Sequence, residues 1–360
     1  MKNFRNVALW VLVVSTVVII SLCTYYNFNI SKVSDDDTLK EITINEGGIS
    51  DIGATLKENN LIRNITVFKI YVKLNNKMNL KAGTYKLSPN MGVKKIVDIL
   101  EEGSKIGPNE ISITFKEGIN IRKIALIISE ETNNSFDDVI DLVSDSSYID
   151  DLINKYWFLT DDIKNKDIYY PLEGYLFPNT YRFNDKDVKV SEIFTKMLDE
   201  TDKQLSKYKK EIDSSQLSIH QILTLASITE LEGAKANDRK DIAGVFVNRL
   251  NSSSFTTLGS DATVYYASKI DDWTIGLTTK DLSNCSNKYN TNSRCSSNVG
   301  LPVGPICNPS IESIEASLNP GKHDYYYFVT DCKGKLYLNK TQSEQDSIID
   351  KLIRENNWCA

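Results

Sequence analysis

The chain opens on an unbroken apolar run. No charged residue lies between Asn6 and Ser31, and residues 7–26 read VALWVLVVSTVVIISLCTYY. At about 1.5 Å per helical residue, some twenty positions cross a hydrocarbon core of roughly 30 Å. The pattern predicts a cytoplasmic tail over 1–6, a transmembrane helix over 7–26 and a polar stalk over 27–40. The periodicity then shortens, and one pattern occurs twice. Ile42-Thr43-Ile44-Asn45-Glu46-Gly47 leads into ISDIGATLKENNLI, and Ile113-Thr114-Phe115-Lys116-Glu117-Gly118 leads towards IRKIALIISEET. Each copy predicts an alternating strand, a Glu-Gly turn and an amphipathic helix. Lys81–Tyr85 reads as a strand between them and Gly92–Leu100 as a helix. Residues 41–132 are therefore expected to form a small α+β module, and the acidic residues 133–162 a helical connection. Residues 163–360 are expected to form a larger mixed α/β domain that ends in a hairpin, Tyr325–Val329 with Gly334–Leu338. The fold class is α+β.

One helix in the second half stands out. Ser218 and Gln221 form a capping box, ILTLASITELE follows, and Gly233 stops the helix. At 100° per residue, Ile222, Leu223 and Ala226 fall within about 60° of Ile219, and Glu230 falls at about 20°, inside that apolar stripe. Glu232 falls at about 220°, near Leu225 and Ile228. A carboxylate on an apolar face is either paired or raised in pKa. The first alternative makes Glu230 a salt-bridge partner of Arg239 or Arg249. The second makes it a general acid.

Two irregular segments flank this helix. Residues 170–181, YPLEGYLFPNTY, place two prolines, a glycine and four aromatic residues where no helix can form. Such a segment suits stacking on sugar rings or a packed loop. Residues 300–309, GLPVGPICNP, form a second rigid loop.

Composition narrows the chemistry. The 360 residues carry 42 Lys plus Arg against 48 Asp plus Glu, a formal net charge of -6. With no basic block, the chain is not expected to bind nucleic acid. His220 and His323 are its two histidines, too few for a multi-histidine metal centre, and no metal or cofactor is expected. Lys2 and Arg5 before the apolar run, with Asp35, Asp36 and Asp37 after it, predict a cytoplasmic N-terminus and an extracytoplasmic bulk. A cleaved signal peptide and a lipid-modified Cys23 are the rival readings. Five cysteines follow the run: Cys285, Cys295, Cys307, Cys332 and Cys359. Cys285 and Cys295 flank a polar loop and either form a bridge or stay reduced with the rest.

Taken in order, LEGYLFPNTY, LASITELEG, DIAGVFVNRL, LGSDATVYYA, YNT and GLPVGPICNP resemble the YceG-like, or MltG, family of endolytic murein transglycosylases. The resemblance extends from the membrane segment to about residue 354. It departs from the family pattern at Ala262, Val303, Ser310 and Gln345. It implies a LysM-like glycan-binding module in 41–132 and a catalytic domain in 163–360. It also implies cleavage of peptidoglycan glycan strands outside the cell membrane, terminating nascent strands, with peptidoglycan synthases as expected partners. The family's catalytic glutamate falls on Glu230. Glu173 becomes a backup acid or sugar ligand, and Tyr175, Ser260, Asp261, Thr263, Tyr289 and Asn290 become candidates for binding sugar or orienting Glu230. The rival classes are a non-catalytic glycan-binding scaffold and a hydrolase that uses water.

Overall fold

The computed structural model describes residues 2–45, 47–103, 110–233 and 235–358; Glu46 and Cys359 lie outside the described residues. The fold mixes helices and strands, in two compact units: Met1–Ile111 with Phe183–Lys186, and Ser112–Arg182 with Asp187–Ala360.

The first unit begins with helix α1 (Lys2–Ile30), whose apolar side chains are exposed from Leu12 to Tyr25. Strand β1 (Lys40–Ile44), helices α2 (Ile49–Glu58) and α3 (Ile65–Leu74), strand β2 (Gly83–Leu87) and helix α4 (Val93–Glu102) follow. β1 and β2 pair antiparallel with Ile42 opposite Tyr85. The inward-facing positions of the pair, Ile42, Ile44, Tyr85 and Leu87, meet Leu56, Phe68, Ile96 and Val97 in one core. The segment read as a stalk does not hang free. Residues 27–30 continue α1, Tyr26 and Ile30 pack against the core, and Val33 and Ser34 donate backbone hydrogen bonds to Pro89 O.

The second unit holds β3 (Ile111–Thr114) and β4 (Thr180–Phe183), all but Ile111 and Phe183, with α5 (Ile121–Glu131), α6 (Phe136–Ser144), α7 (Ser146–Lys155), α8 (Val190–Leu205) and α9 (Lys209–Ser214). Then come α10 (Ile219–Glu232), α11 (Arg239–Leu250), α12 (Asp261–Ala267), α13 (Thr279–Leu282), α14 (Ile311–Leu318), β5 (Tyr327–Thr330), β6 (Leu336–Asn339) and α15 (Gln342–Arg354). The two strand-turn-helix copies do not share a module. β3 pairs with β4 rather than with β1 or β2, because Phe115, just after β3, is buried against Tyr181 at 6.2 Å. The expected terminal hairpin is present, with Tyr327 opposite Asn339. Cys285 and Cys295 are bridged and Cys332 is disulfide-bonded, while Cys307 is a buried thiol. The reading of five reduced thiols therefore gives way, among the described residues, to three oxidised cysteines and one buried thiol.

Candidate active site

The capping box of α10 is in place: Gln221 N donates to Ser218 Oγ at 3.3 Å, and Ser218 N donates to Gln221 Oε1 at 2.9 Å. The helix is buried nearly all round, so its two glutamates leave it in different directions and meet different partners. The Glu230 side chain is 6% exposed. Of the two arginines offered as partners, Arg239 is the one that pairs with it. Arg239 Nη2 donates to Glu230 Oε1 at 2.6 Å. Glu230 Oε2 accepts from the Ser310 N–H at 2.9 Å, the Ser310 hydroxyl at 2.5 Å and the Ser313 hydroxyl at 2.7 Å. Ser310 is the N-cap of α14, so the carboxyl group also faces the positive end of that helix. Gly233 makes room for the arginine, since a Cβ there would lie 2.9 Å from Arg239 Cγ.

Glu230 lines a cavity of about 480 Å³ together with Glu117 and Asn120 before α5, Tyr266 of α12, and Asp271 and Trp273 beyond it. Gly118, at φ +74°, turns the chain so closely that a Cβ on it would lie 3.6 Å from Glu230 Cγ. Partial burial, then the charges of Glu230 and Glu312, push the Glu117 carboxyl above its ordinary range, against the pull of Arg239. Asp271 accepts from Arg122 at 2.9 and 2.5 Å and from Asn120 Nδ2 at 2.6 Å. The Trp273 ring is 45% exposed and stacks on Tyr265 with centroids 5.0 Å apart and planes at 13°.

The profile of the YceG-like family matches residues 42–351. A Bacillus subtilis protein named endolytic murein transglycosylase is 36% identical over 326 residues, covering 90% of this chain and 87% of that protein. This chain belongs to the YceG-like family. A Streptococcus pneumoniae protein of the same name is 34% identical over 87% of this chain, which spans 58% of the pneumococcal protein. The crystal structure of a yceG-like protein from Listeria monocytogenes matches with a TM-score of 0.61 at 38% identity, over 86% of this chain and 99% of that one.

Within this YceG-like chain, the other expected sugar ligands stand behind the cavity wall. Glu173 is 1% exposed and accepts from Ile121 N, Tyr266 OH and Asn308 Nδ2. The Tyr175 hydroxyl meets His220 Nδ1 at 2.8 Å, while His220 Nε2 meets the Val303 carbonyl. A carbonyl only accepts, so Nε2 carries the proton and the tyrosine donates to Nδ1. Burial lowers the His220 pKa. Ser260 Oγ donates to Glu232 Oε1 at 2.6 Å. Thr263 Oγ1 donates to Ser260 O and lies 2.8 Å from Thr291 Oγ1. Tyr289 packs on Tyr266 and Tyr169. Asn290 Nδ2 staples the backbone carbonyls of Asp281, Leu282 and Asn284. Asp261 is exposed on the first turn of α12 and does not line this cavity. Apart from the buried Tyr289 hydroxyl, which has no hydrogen-bond partner among the described residues, and the exposed Asp261, these polar groups are hydrogen-bonded inside the protein, as buried polar groups generally are. The aromatic segment is likewise packed, a loop over 170–179 that runs into β4. Glu117, Asn120, Ser313 and Trp273 are the site residues that pattern reading passed over, whereas Arg239 is one of the two partners it offered for Glu230. Glu117 had one visible signal, its place in the Glu-Gly turn of the second repeat.

Proposed function

We propose that this chain is a membrane-anchored endolytic murein transglycosylase with Glu230 as its acid–base group. Family membership carries the reaction class. The observation that selects the residue is geometric: of the two glutamates in the ITELE run, Glu230 lines the cavity and Glu232 does not. The enzyme cleaves peptidoglycan strands between N-acetylmuramic acid and N-acetylglucosamine. An acid gives its proton to the bridging oxygen as the carbon–oxygen bond breaks. The resulting carboxylate takes the proton of the muramyl 6-hydroxyl, whose oxygen closes on the anomeric carbon. The product is a 1,6-anhydro ring, and no water is consumed. Arg239, Ser310 and Ser313 orient Glu230. Glu117 shares the cavity, and burial together with the Glu230 charge pushes the Glu117 carboxyl above its ordinary range. Digestion of purified peptidoglycan, followed by mass analysis, tests the reaction: the new ends are expected to be lighter by one water than hydrolytic ends. Reducing ends alone would make the enzyme a hydrolase.

Trp273 supports a sugar-stacking position at the rim. An aromatic face at the mouth of a polar cavity suits the apolar face of a pyranose ring. A ring contact worth about 1 kcal/mol corresponds to roughly fivefold in affinity. Trp273→Ala is therefore expected to raise KM about fivefold and leave kcat within about twofold. An equal loss in kcat would show that the indole acts on the transition state or on the fold instead.

The bridged cysteines support an extracytoplasmic location, and the flanking charges support a cytoplasmic N-terminus. We place the LysM-like glycan-binding function in the β1–β2 pair and the helices packed on it, and a place beside peptidoglycan synthases follows from the reaction.

A further inference from the structure

Helix α1 does not end in a flexible tether, and this has a consequence for its neighbour α3. Arg63 Nη2 donates to the carbonyls of Lys32 and Val33 at 2.9 and 3.0 Å, and its guanidinium lies 4.4 Å from the Phe28 ring centroid. Asn64, the N-cap of α3, donates to the Tyr25 hydroxyl at 3.3 Å. A Cβ on Gly92 would lie 3.1 Å from Ile30 O. The end of α1 is thus clamped beside the start of α3. A groove of about 570 Å³ runs between them, lined by Leu22, Cys23 and Tyr26 on one side and Thr66, Val67 and Ile70 on the other.

The level of this groove sets what must cover it. Leu22 to Tyr26 form the last stretch of the apolar run, about 6 Å along the helix axis. If α1 spans a bilayer, this stretch lies at the outer boundary of the hydrocarbon, and α3 lies at the same depth. The outward stripe of α3 is apolar. Ile70 and Leu74 are 42% and 73% exposed, and Met78 just beyond is 54% exposed, although the opposite face of α3 already supplies Phe68 and Val72 to the core. Lys69 and Lys73 flank the stripe, and Tyr25 and Tyr26 stand at its edge. Apolar residues on one face, lysines beside them and tyrosines at the boundary are the pattern of a helix lying in a membrane interface.

We infer that α3 is an interfacial helix whose Ile70 and Leu74, with Met78 just past its end, rest in the outer leaflet of the bilayer crossed by α1, with Lys69 and Lys73 among the lipid headgroups. This rests on the reading of α1 as an anchor, and it gives the first unit a fixed orientation on the membrane. The test uses the full-length chain in a Cys23→Ser background, whose own label uptake serves as the blank. An environment-sensitive NBD label is placed on Leu74→Cys, on Val17→Cys within the span and on Lys86→Cys on the exposed edge of β2. Each protein is reconstituted into phosphatidylcholine–phosphatidylglycerol vesicles with and without brominated acyl chains. The label at 74 is expected to shift to the blue and to be quenched at least half as strongly as the label at 17, with the label at 86 unaffected. If 17 is quenched while 74 behaves like 86, the anchor stands and the interfacial helix is overturned. If 17 is not quenched, the anchor reading itself falls and takes the proposal with it.

Discussion

Glu230→Gln is expected to lower the rate of glycan cleavage by about 10²–10⁴-fold, the usual worth of a positioned acid–base group. The amide keeps the size of the side chain and loses the exchangeable proton. A glutamate on a purely apolar stripe would stabilise the fold on becoming an amide. Here the sign reverses. Arg239 is 11% exposed at the side chain and its Nη2 is paired with Glu230, so the amide leaves a nearly buried guanidinium without its anion. Breaking a buried pair costs about 3 kcal/mol at the low end of its range. Urea unfolding should show that loss, and activity must be measured at a temperature where the variant stays folded. Glu230→Asp separates the two effects, because it retains a carboxyl group near Arg239 but withdraws it from the cavity; it should recover stability more than turnover. Glu232→Gln is expected to cost less than tenfold in rate, since that carboxyl faces Ser260 away from the cavity. Near-normal turnover by folded Glu230→Gln, with activity abolished in Glu232→Gln or Glu173→Gln, would mean the carboxylate has been misassigned.

The elements were legible where periodicity and caps agree. The strand β1, the helices α2 and α4, the capped α10 and the terminal hairpin follow directly from spacing, because burial on one face imposes it. Pairing was not legible. The second repeat has the same local pattern as the first, but nothing local specifies that β3 takes β4 as its partner. The site divides in the same way. Helix phase places Glu230 and Glu232 on different sides, whereas the donors on Glu230 arrive from Ser310 and Ser313, eighty and more residues further on. Motif density does not separate the two roles. Ser260, Thr263, Tyr289 and Asn290 are polar residues in irregular segments, which serves a sugar site and a self-satisfied loop equally well. Tertiary contacts add what spacing lacks: Ser260, Thr263 and Asn290 hydrogen-bond within the protein. Gly174 shows the reason for such density: at φ +85°, a Cβ on it would lie 2.4 Å from Pro305 Cβ, so the two motif loops touch backbone to ring.

Glu173 carries the second large effect, on stability rather than rate. Burial raises its carboxyl to about 7 from an ordinary value near 4.5. The Ile121 N–H, the Tyr266 hydroxyl and the nearby Arg122 offset part of that rise, and Asp271 adds to it. Between these two values the folded chain binds a proton that the unfolded chain has released, so stability falls as pH rises. The contribution is fully present below about pH 4.5, is lost progressively up to about pH 7, and amounts to about 3 kcal/mol over that window. Glu173→Gln mimics the protonated form at every pH. The difference in unfolding free energy, variant minus wild type, is therefore expected to increase by about 3 kcal/mol between pH 4.5 and 7 and to stay flat above. Glu173→Ala should instead be destabilised at all pH values, because Ile121 N, Tyr266 OH and Asn308 Nδ2 lose an acceptor at a buried point. A glutamine variant that runs parallel to wild type across the window would show that Glu173 is charged throughout and is held by its donors and Arg122. The carboxyl would then be a fixed anion at the start of α5, and the pocket wall it supports would not respond to pH through this group.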